Sequence, residues 1–265
     1  MKRTLFALAL VASVATSGWA VPTVDLTTAA SGTINNAVFE FYKFNPSGTG
    51  VFDPFLRVQQ NGTEQGYNTD ADKPPFDAKK GIWTHSLSFS SLVAVDGYYQ
   101  FALDIGEPKS DNNKGDASLL SLDGLKLFST ASPAQDGTTV DGTTLYDMDA
   151  GGDHYVLLDA ERGTGTAASE SPGNGWSDML LKIPVDILDN HSADQPYLIL
   201  WSQFGLNEKA NPGADSASTF EEWGTTYVTD DGGGPPQEVV PEPGTIMLLG
   251  TGLIGLALYG RRRIK

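Results

Sequence analysis

Acidic side chains gathered around glycine turns are the most chemically suggestive feature of this sequence. Asp147-Met148-Asp149-Ala150-Gly151-Gly152-Asp153 sets carboxylates at alternate positions beside a Gly pair, as loops for hard, oxygen-seeking cations require. Asp147, Asp149 and Asp153 are its candidate ligands, and Ca2+ is the candidate cofactor. The loop is not an EF-hand, because its fifth position is Gly151 and its twelfth is Leu158, where that motif needs a bidentate Glu. Asn68, Asp70 and Asp72 form a second cluster, and Asp111, Asn113 and Asp116 a third. Asp104 and Glu107, at the exit of an expected strand, are positioned to share an ion with Asp123 on a neighbouring strand. Asp, Asn and Gly are also the ordinary turn residues of β proteins, so each cluster has a purely structural reading beside the metal one.

Catalytic constellations are scarce. His85, His154 and His191 stand apart, with no HExxH pair for zinc, and read as strand-surface or turn residues. Gly175-Trp176-Ser177-Asp178-Met179 begins like a nucleophile elbow but lacks its closing Gly. Glu221 and Glu222 are adjacent on an expected strand, so they face opposite sides of a sheet and cannot flank one glycosidic bond as a pair. No catalytic residue is assigned. A secreted carbohydrate-active hydrolase, drawing its carboxylates from separate strands, is the alternative to a binding or structural role. Trp83, Trp176, Trp201 and Trp223 are candidates for stacking on sugars or for the core.

The elements that must carry these residues are strands. Tyr99, Phe101, Leu103 and Ile105 alternate with Tyr98, Gln100, Ala102 and Asp104, the period of two that marks a half-buried strand. Similar runs occur at 38–44, 55–59, 82–89, 119–128, 144–148, 154–159, 179–183, 197–204 and 220–228. Asp96-Gly97 joins two runs by a two-residue hairpin turn, Asp123-Gly124 fits either a hairpin or a bulge, and residues 185–190 suit a single helical turn. Short strands with frequent turn signals predict an all-β fold, a two-sheet antiparallel sandwich that is jelly-roll-like.

Composition narrows the function. The 265 residues include 33 Asp+Glu against 17 Lys+Arg, a net charge of -16, and no Cys. An acidic chain of this kind is no nucleic-acid binder, and without cysteine it has neither disulfides nor thiolate metal sites. Residues 1–20 read as a signal peptide: Lys2 and Arg3, then an apolar run, then Gly18-Trp19-Ala20 with cleavage by signal peptidase after Ala20. Residues 21–229 form the folded domain and 230–240 a Gly/Pro linker. Residues 241–265 open on Pro241-Glu242-Pro243, continue through an apolar stretch at 244–260 and end on Arg261, Arg262 and Arg263. As a helix that stretch is roughly 25 Å long, marginal for a hydrocarbon core of about 30 Å, and its basic end stays in the cytoplasm.

This three-part tail resembles the PEP-CTERM protein-sorting signal, which exosortases recognise in Gram-negative bacteria that make extracellular polysaccharide. The resemblance implies that Pro241, Glu242 and Pro243 are the processing motif, that 244–260 is a transient anchor in the inner membrane, and that Arg261 to Arg263 retain it there. It implies an exosortase as partner and a final place at the cell surface or outside the cell. Phe55-Leu56-Arg57-Val58-Gln59, Gly66-Tyr67-Asn68-Thr69-Asp70 and Phe220-Glu221-Glu222-Trp223 likewise resemble stretches of other exported proteins with this tail. The expectation is an exported surface or extracellular-matrix protein with a binding or structural role, calcium-assisted, with extracellular polysaccharide as a candidate partner. Without residues 1–20 and 244–265 the chain keeps 11 basic residues against all 33 acidic ones, a net of -22.

Overall fold

The computed structural model describes residues 23–44, 53–108, 118–162 and 177–225. The expected signal peptide, the expected linker, the tail with its 244–260 stretch, the 111–116 cluster and Trp176 lie outside the described residues. In chain order the strands are β1 (Val24–Asp25), β2 (Ser31–Ile34), β3 (Ala37–Phe44), β4 (Asp53–Val58), β5 (Asn61–Gly62), β6 (Glu64–Tyr67), β7 (Leu87–Ser88) and β8 (Ala94–Val95). They continue with β9 (Tyr98–Ile105), β10 (Leu119–Thr130), β11 (Thr143–Asp147), β12 (Val156–Asp159), β13 (Ser177–Pro184), β14 (Tyr197–Phe204), β15 (Ser216–Ala217) and β16 (Glu221–Thr225). One helical turn, α1 (Val185–Leu188), follows β13. Among the described residues no helix is long and apolar enough to cross a membrane.

One sheet runs β1-β12-β10-β14-β6, with β11 also on β10 and β7 on β14; the other runs β2-β3-β13-β9-β16-β4, with β8 on β9. All pairs are antiparallel except β1 with β12, which is parallel, so a fully antiparallel pattern does not hold at that edge. A two-stranded ribbon, β5 with β15, closes one end. Both large sheets contribute to one apolar core: Leu122, Leu125, Leu200 and Phe204 from the first, and Phe39, Phe101, Leu103 and Trp223 from the second. The expected alternation holds on β9, where Phe101, Leu103 and Ile105 join the core while Asp104 occupies the other face. Trp223 is fully buried, and its indole N–H crosses the core to donate to Ser202 Oγ at 3.1 Å.

Local chemistry sets the turns. Asp96 and Gly97, with φ of 52° and 81°, form the β8–β9 hairpin in the left-handed conformation such two-residue turns require. Asp123-Gly124 is a bulge and no hairpin: β10 runs unbroken past it while its register against β14 shifts between Leu122 and Gly124. The extra residue turns Asp123 out of the ladder, and the Gly124 position lies against the Trp201 ring.

The expected strand at 82–89 is a correction. Only Leu87–Ser88 pairs as strand, followed by a 3-10 turn at Phe89–Ser91. The segment from 77 to 88 is a strap that crosses from one sheet to the other, because its partners alternate between them. The Lys79 and His85 N–H groups donate to Arg57 and Phe55 carbonyls on β4, at 2.9 Å each, whereas Asp77 N–H donates to Gln65 O on β6 at 3.0 Å. Leu87 and Ser88 then pair with β14. The strap covers β4 and β6, the last strands of their sheets, whose unpaired backbone would otherwise be open to other chains.

Gly205 ends β14 at φ 83°, and a Cβ there would stand 2.1 Å from the Gly62 carbonyl oxygen. Replacing Gly205 with Ala therefore combines backbone strain with a clash against main chain. The expected loss is about 2 kcal/mol or more in urea unfolding, and an unchanged midpoint would contradict this packing.

Candidate functional site

The proposed metal loop of residues 147–153 is organised by its own hydrogen bonds. Asp147 Oδ1 accepts the Asp149 N–H at 3.0 Å and Asp149 Oδ1 accepts the His154 N–H at 3.1 Å, while Asp147 Oδ2 pairs with Lys126 Nζ at 2.9 Å. Its carbonyl oxygens, those of Asp147, Met148 and Ala150, converge at 3.0, 2.9 and 3.1 Å on Asn35 Nδ2. An amide donor thus occupies the centre of the carbonyl cup. Asn35 reaches it from a β2–β3 turn in which Asn35 and Asn36 both have positive φ.

The second cluster is divided among structural tasks. Asn68 is fully buried; its Nδ2 donates to His85 O and Leu198 O, each at 3.1 Å, and its Oδ1 accepts the Leu200 N–H at 2.6 Å. Asp70 receives both the N–H and the hydroxyl of Ser86, and Asp72 pairs with Lys80 at the surface. The histidines occupy strand-end and turn positions, with His191 stacked on Phe89 at 3.8 Å between ring centroids.

Asp104, Glu107 and Asp123 separate. Asp104 lies opposite Glu222 on the outer face of the second sheet. Asp123 leaves the β10 bulge to hold the chain after β14: Oδ2 accepts the Leu206 N–H at 2.6 Å and the Ser121 hydroxyl at 2.9 Å, and Oδ1 accepts from Asn207 Nδ2 at 2.7 Å. Burial pushes its carboxyl up from 3.8 to about 6, outweighing those three donors. Glu107 turns instead toward Glu64 and Glu221. Among the described residues no group of three or more His, Asp or Glu side chains is disposed to hold a metal ion.

Glu221 and Glu222 do face opposite ways. Glu221 is buried on the core side with Trp223, whereas Glu222 pairs with Arg57 on the outer side. The Arg57 guanidinium lies 5.0 Å from the Trp83 ring centroid and 4.6 Å from that of Phe220, a geometry in which the cation is attracted to each ring. Trp83 is 40% exposed on the strap, with Ile82 and Phe76 also exposed. Trp223 belongs to the core and Trp201 is half-buried, so among the described tryptophans named as sugar-stacking candidates Trp83 is the one displayed at the surface.

The site residue that sequence reading omits is Glu64. On β6 it pairs with Phe204 of β14, a core residue, so its carboxyl points between the sheets; a four-residue strand reading Glu-Gln-Gly-Tyr carries no apolar alternation to reveal this. For Glu221 a signal existed, because a residue two positions before a buried Trp on a strand shares its face.

Residues 239–263 match the family model of the PEP-CTERM protein-sorting motif. The tail thus carries the sorting signal that its Pro-Glu-Pro, apolar stretch and Arg cluster resemble, and the motif implies export followed by processing by an exosortase. No curated protein matches the chain.

Replacing Asp123 with Ala strips acceptors from three donors at once, and the expected cost is about 2 to 4 kcal/mol. Asp123→Asn keeps one acceptor and costs less. Because the folded carboxyl lies above its value of 3.8, at about 6, its contribution to stability is fullest below pH 3.8 and is lost as pH rises through 6. Unfolding titrations of Asp123→Asn between these limits should show a flatter pH dependence than the parent, and an equal slope would contradict the assignment.

Proposed function

We propose that the chain is an exosortase-processed surface or extracellular-matrix protein whose body, built on a two-sheet sandwich, binds neutral extracellular polysaccharide. The observation that carries this reading is Trp83, 40% exposed yet held by Arg57, which Glu222 and Phe220 fix in turn. A flat aromatic ring immobilised before binding loses little entropy when a sugar face stacks on it. Exposed Ile82, next to Trp83 on the strap, extends the apolar surface. The body's net charge of -22 between residues 21 and 243 disfavours a polyanion and favours an uncharged polymer.

The hydrolase reading has no comparable support. It calls for two carboxylates about 5 to 10 Å apart on a surface that substrate reaches, whereas the carboxyls that converge here, Glu64, Glu107 and Glu221, lie in mutual contact and are 1%, 5% and 0% exposed.

Two measurements test the proposal. Affinity electrophoresis through gels containing the host's neutral polysaccharide should retard the parent chain, and Trp83→Ala should abolish at least most of that retardation while leaving the thermal midpoint nearly unchanged; equal mobility of the two would refute binding at Trp83. Replacing Pro241, Glu242 and Pro243 with Ala should leave the chain in the inner-membrane fraction, whereas the parent should reach the surface cut near Pro243. C-terminal mass spectrometry decides, and an intact tail on surface-exposed parent protein overturns the processing step.

A further inference from the structure

Three carboxylic side chains that no turn accounts for meet where the two sheets close at one end. Glu64 comes from the inner face of β6, Glu221 from the inner face of β16, and Glu107 from the segment just after β9. The close approach of Gly106 to Phe220, whose carbonyl accepts the Gly106 N–H at 3.0 Å, brings Glu107 to the other two. Glu64 Oε2 accepts the Gln60 N–H at 2.7 Å, Glu221 Oε1 accepts the Thr219 hydroxyl at 3.2 Å, and both Glu107 oxygens receive the Ala217 N–H at 3.2 Å. The remaining oxygens of the first two, Glu64 Oε1 and Glu221 Oε2, are buried and meet no donor from the protein. Glu221 lies within hydrogen-bonding reach of Glu64 on one side and Glu107 on the other. The strap presents another acid, Asp77, toward Glu64, and the β15 side presents the Ser216 hydroxyl. Among the described residues no basic side chain pairs with any of the three.

Carboxylates sealed from water without a cation or a full set of donors are costly. Two such groups in contact cannot both ionise and lower that cost by sharing a proton. We propose that Glu64, Glu221 and Glu107 form a proton-held latch between the two sheets. With protons retained, each acid O–H donates to its neighbour's oxygen and the three carboxyls bridge β6 to β16. When the protons pass to solvent, adjacent negative charges repel across the same gap, and the end of the fold closed by β5 and β15 opens.

The direction of the pH effect follows from burial. Burial raises all three carboxyls, Glu107 to about 8; both neighbours push Glu221 further up, whereas the hydrogen bond from Glu221 partly offsets the rise at Glu64 and Glu107. The folded state therefore keeps protons that the unfolded chain releases above about 4.5. The latch contributes fully below that value and weakens as pH rises and its protons leave, that of Glu107 near pH 8. Each proton held only by the closed state changes the closing equilibrium by up to about tenfold per pH unit.

The test is hydrogen exchange of the full-length chain in mild detergent at pH 6 and pH 8.5, corrected for intrinsic exchange and read by mass spectrometry. Peptides covering residues 60–67 and 216–225 should lose more than about tenfold in protection at the higher pH, while those covering 119–130 hold theirs. Glu64→Gln with Glu221→Gln replaces the shared proton by permanent amide donors and should remove that difference. Protection that does not fall with pH in the parent, or that falls equally in the double variant, overturns the latch. Should the double variant fail to fold, infrared difference spectra of the parent still decide: the C=O stretch of protonated carboxyls must persist above pH 7 and bleach as pH rises toward 9, and its absence above pH 7 overturns the latch.

Discussion

With no cysteine in the chain, the two sheets are held by what they bury between them, and every polar group that enters that layer must be satisfied there. The apolar part is conventional: Phe39, Phe101 and Trp223 from one sheet close on Leu122, Leu200 and Phe204 from the other. A well-packed layer excludes water, so a stray N–H or carboxyl costs as much as a lost methylene or more. The buried polar residues answer this constraint individually. Ser202 accepts the Trp223 indole, Asn68 satisfies three main-chain groups between strap and β14, and Asp123 gathers the loop that follows β14.

The same constraint explains why acidic clusters that suit a cation in the sequence take other roles in the fold. Loop 147–153 receives an amide from Asn35, and Asp147 also reaches Lys126. The donors and acceptors of these turns are used to fix backbone, which is the alternative that Asp, Asn and Gly always offer. The unusual carboxyls lie instead in a strand that looks unremarkable and at the end of the core, where backbone geometry brings three of them together with single donors and, among the described residues, no basic partner.

Strand periodicity was legible where large apolar residues recur at alternate positions, as at Tyr98–Ile105 and Tyr197–Phe204, even though Ala102 and Asp104 on the other face are buried as well. It failed at 82–89 because Ile82, Trp83 and Leu87 mimic a strand while Ile82 and Trp83 sit in a turn bridged by Gly81 and Thr84, and His85 and Leu87 bond to two different sheets, information that no local window holds. The short strands β1, β5, β6 and β15 are held by register against distant segments and carry little pattern of their own. At the candidate site, the opposite facing of Glu221 and Glu222 was readable from alternation alone, and the tail was readable from its three-part composition. The meeting of Glu64 with Glu221 depends on which strands of the two sheets oppose each other across the core, a property of the whole topology.

The last described strand, β16, is not at an edge: it lies between β9 and β4 and is bonded on both sides along Glu221–Thr225. The sorting tail continues from this strand, so whatever grips the tail pulls on the body through β16. Drag on a tethered body therefore loads two ladders of main-chain bonds along the strand axis together, where an edge strand would peel away one bond at a time. The described fold therefore ends on an interior strand secured on both sides, and not on one that a pull could strip from the rim of a sheet.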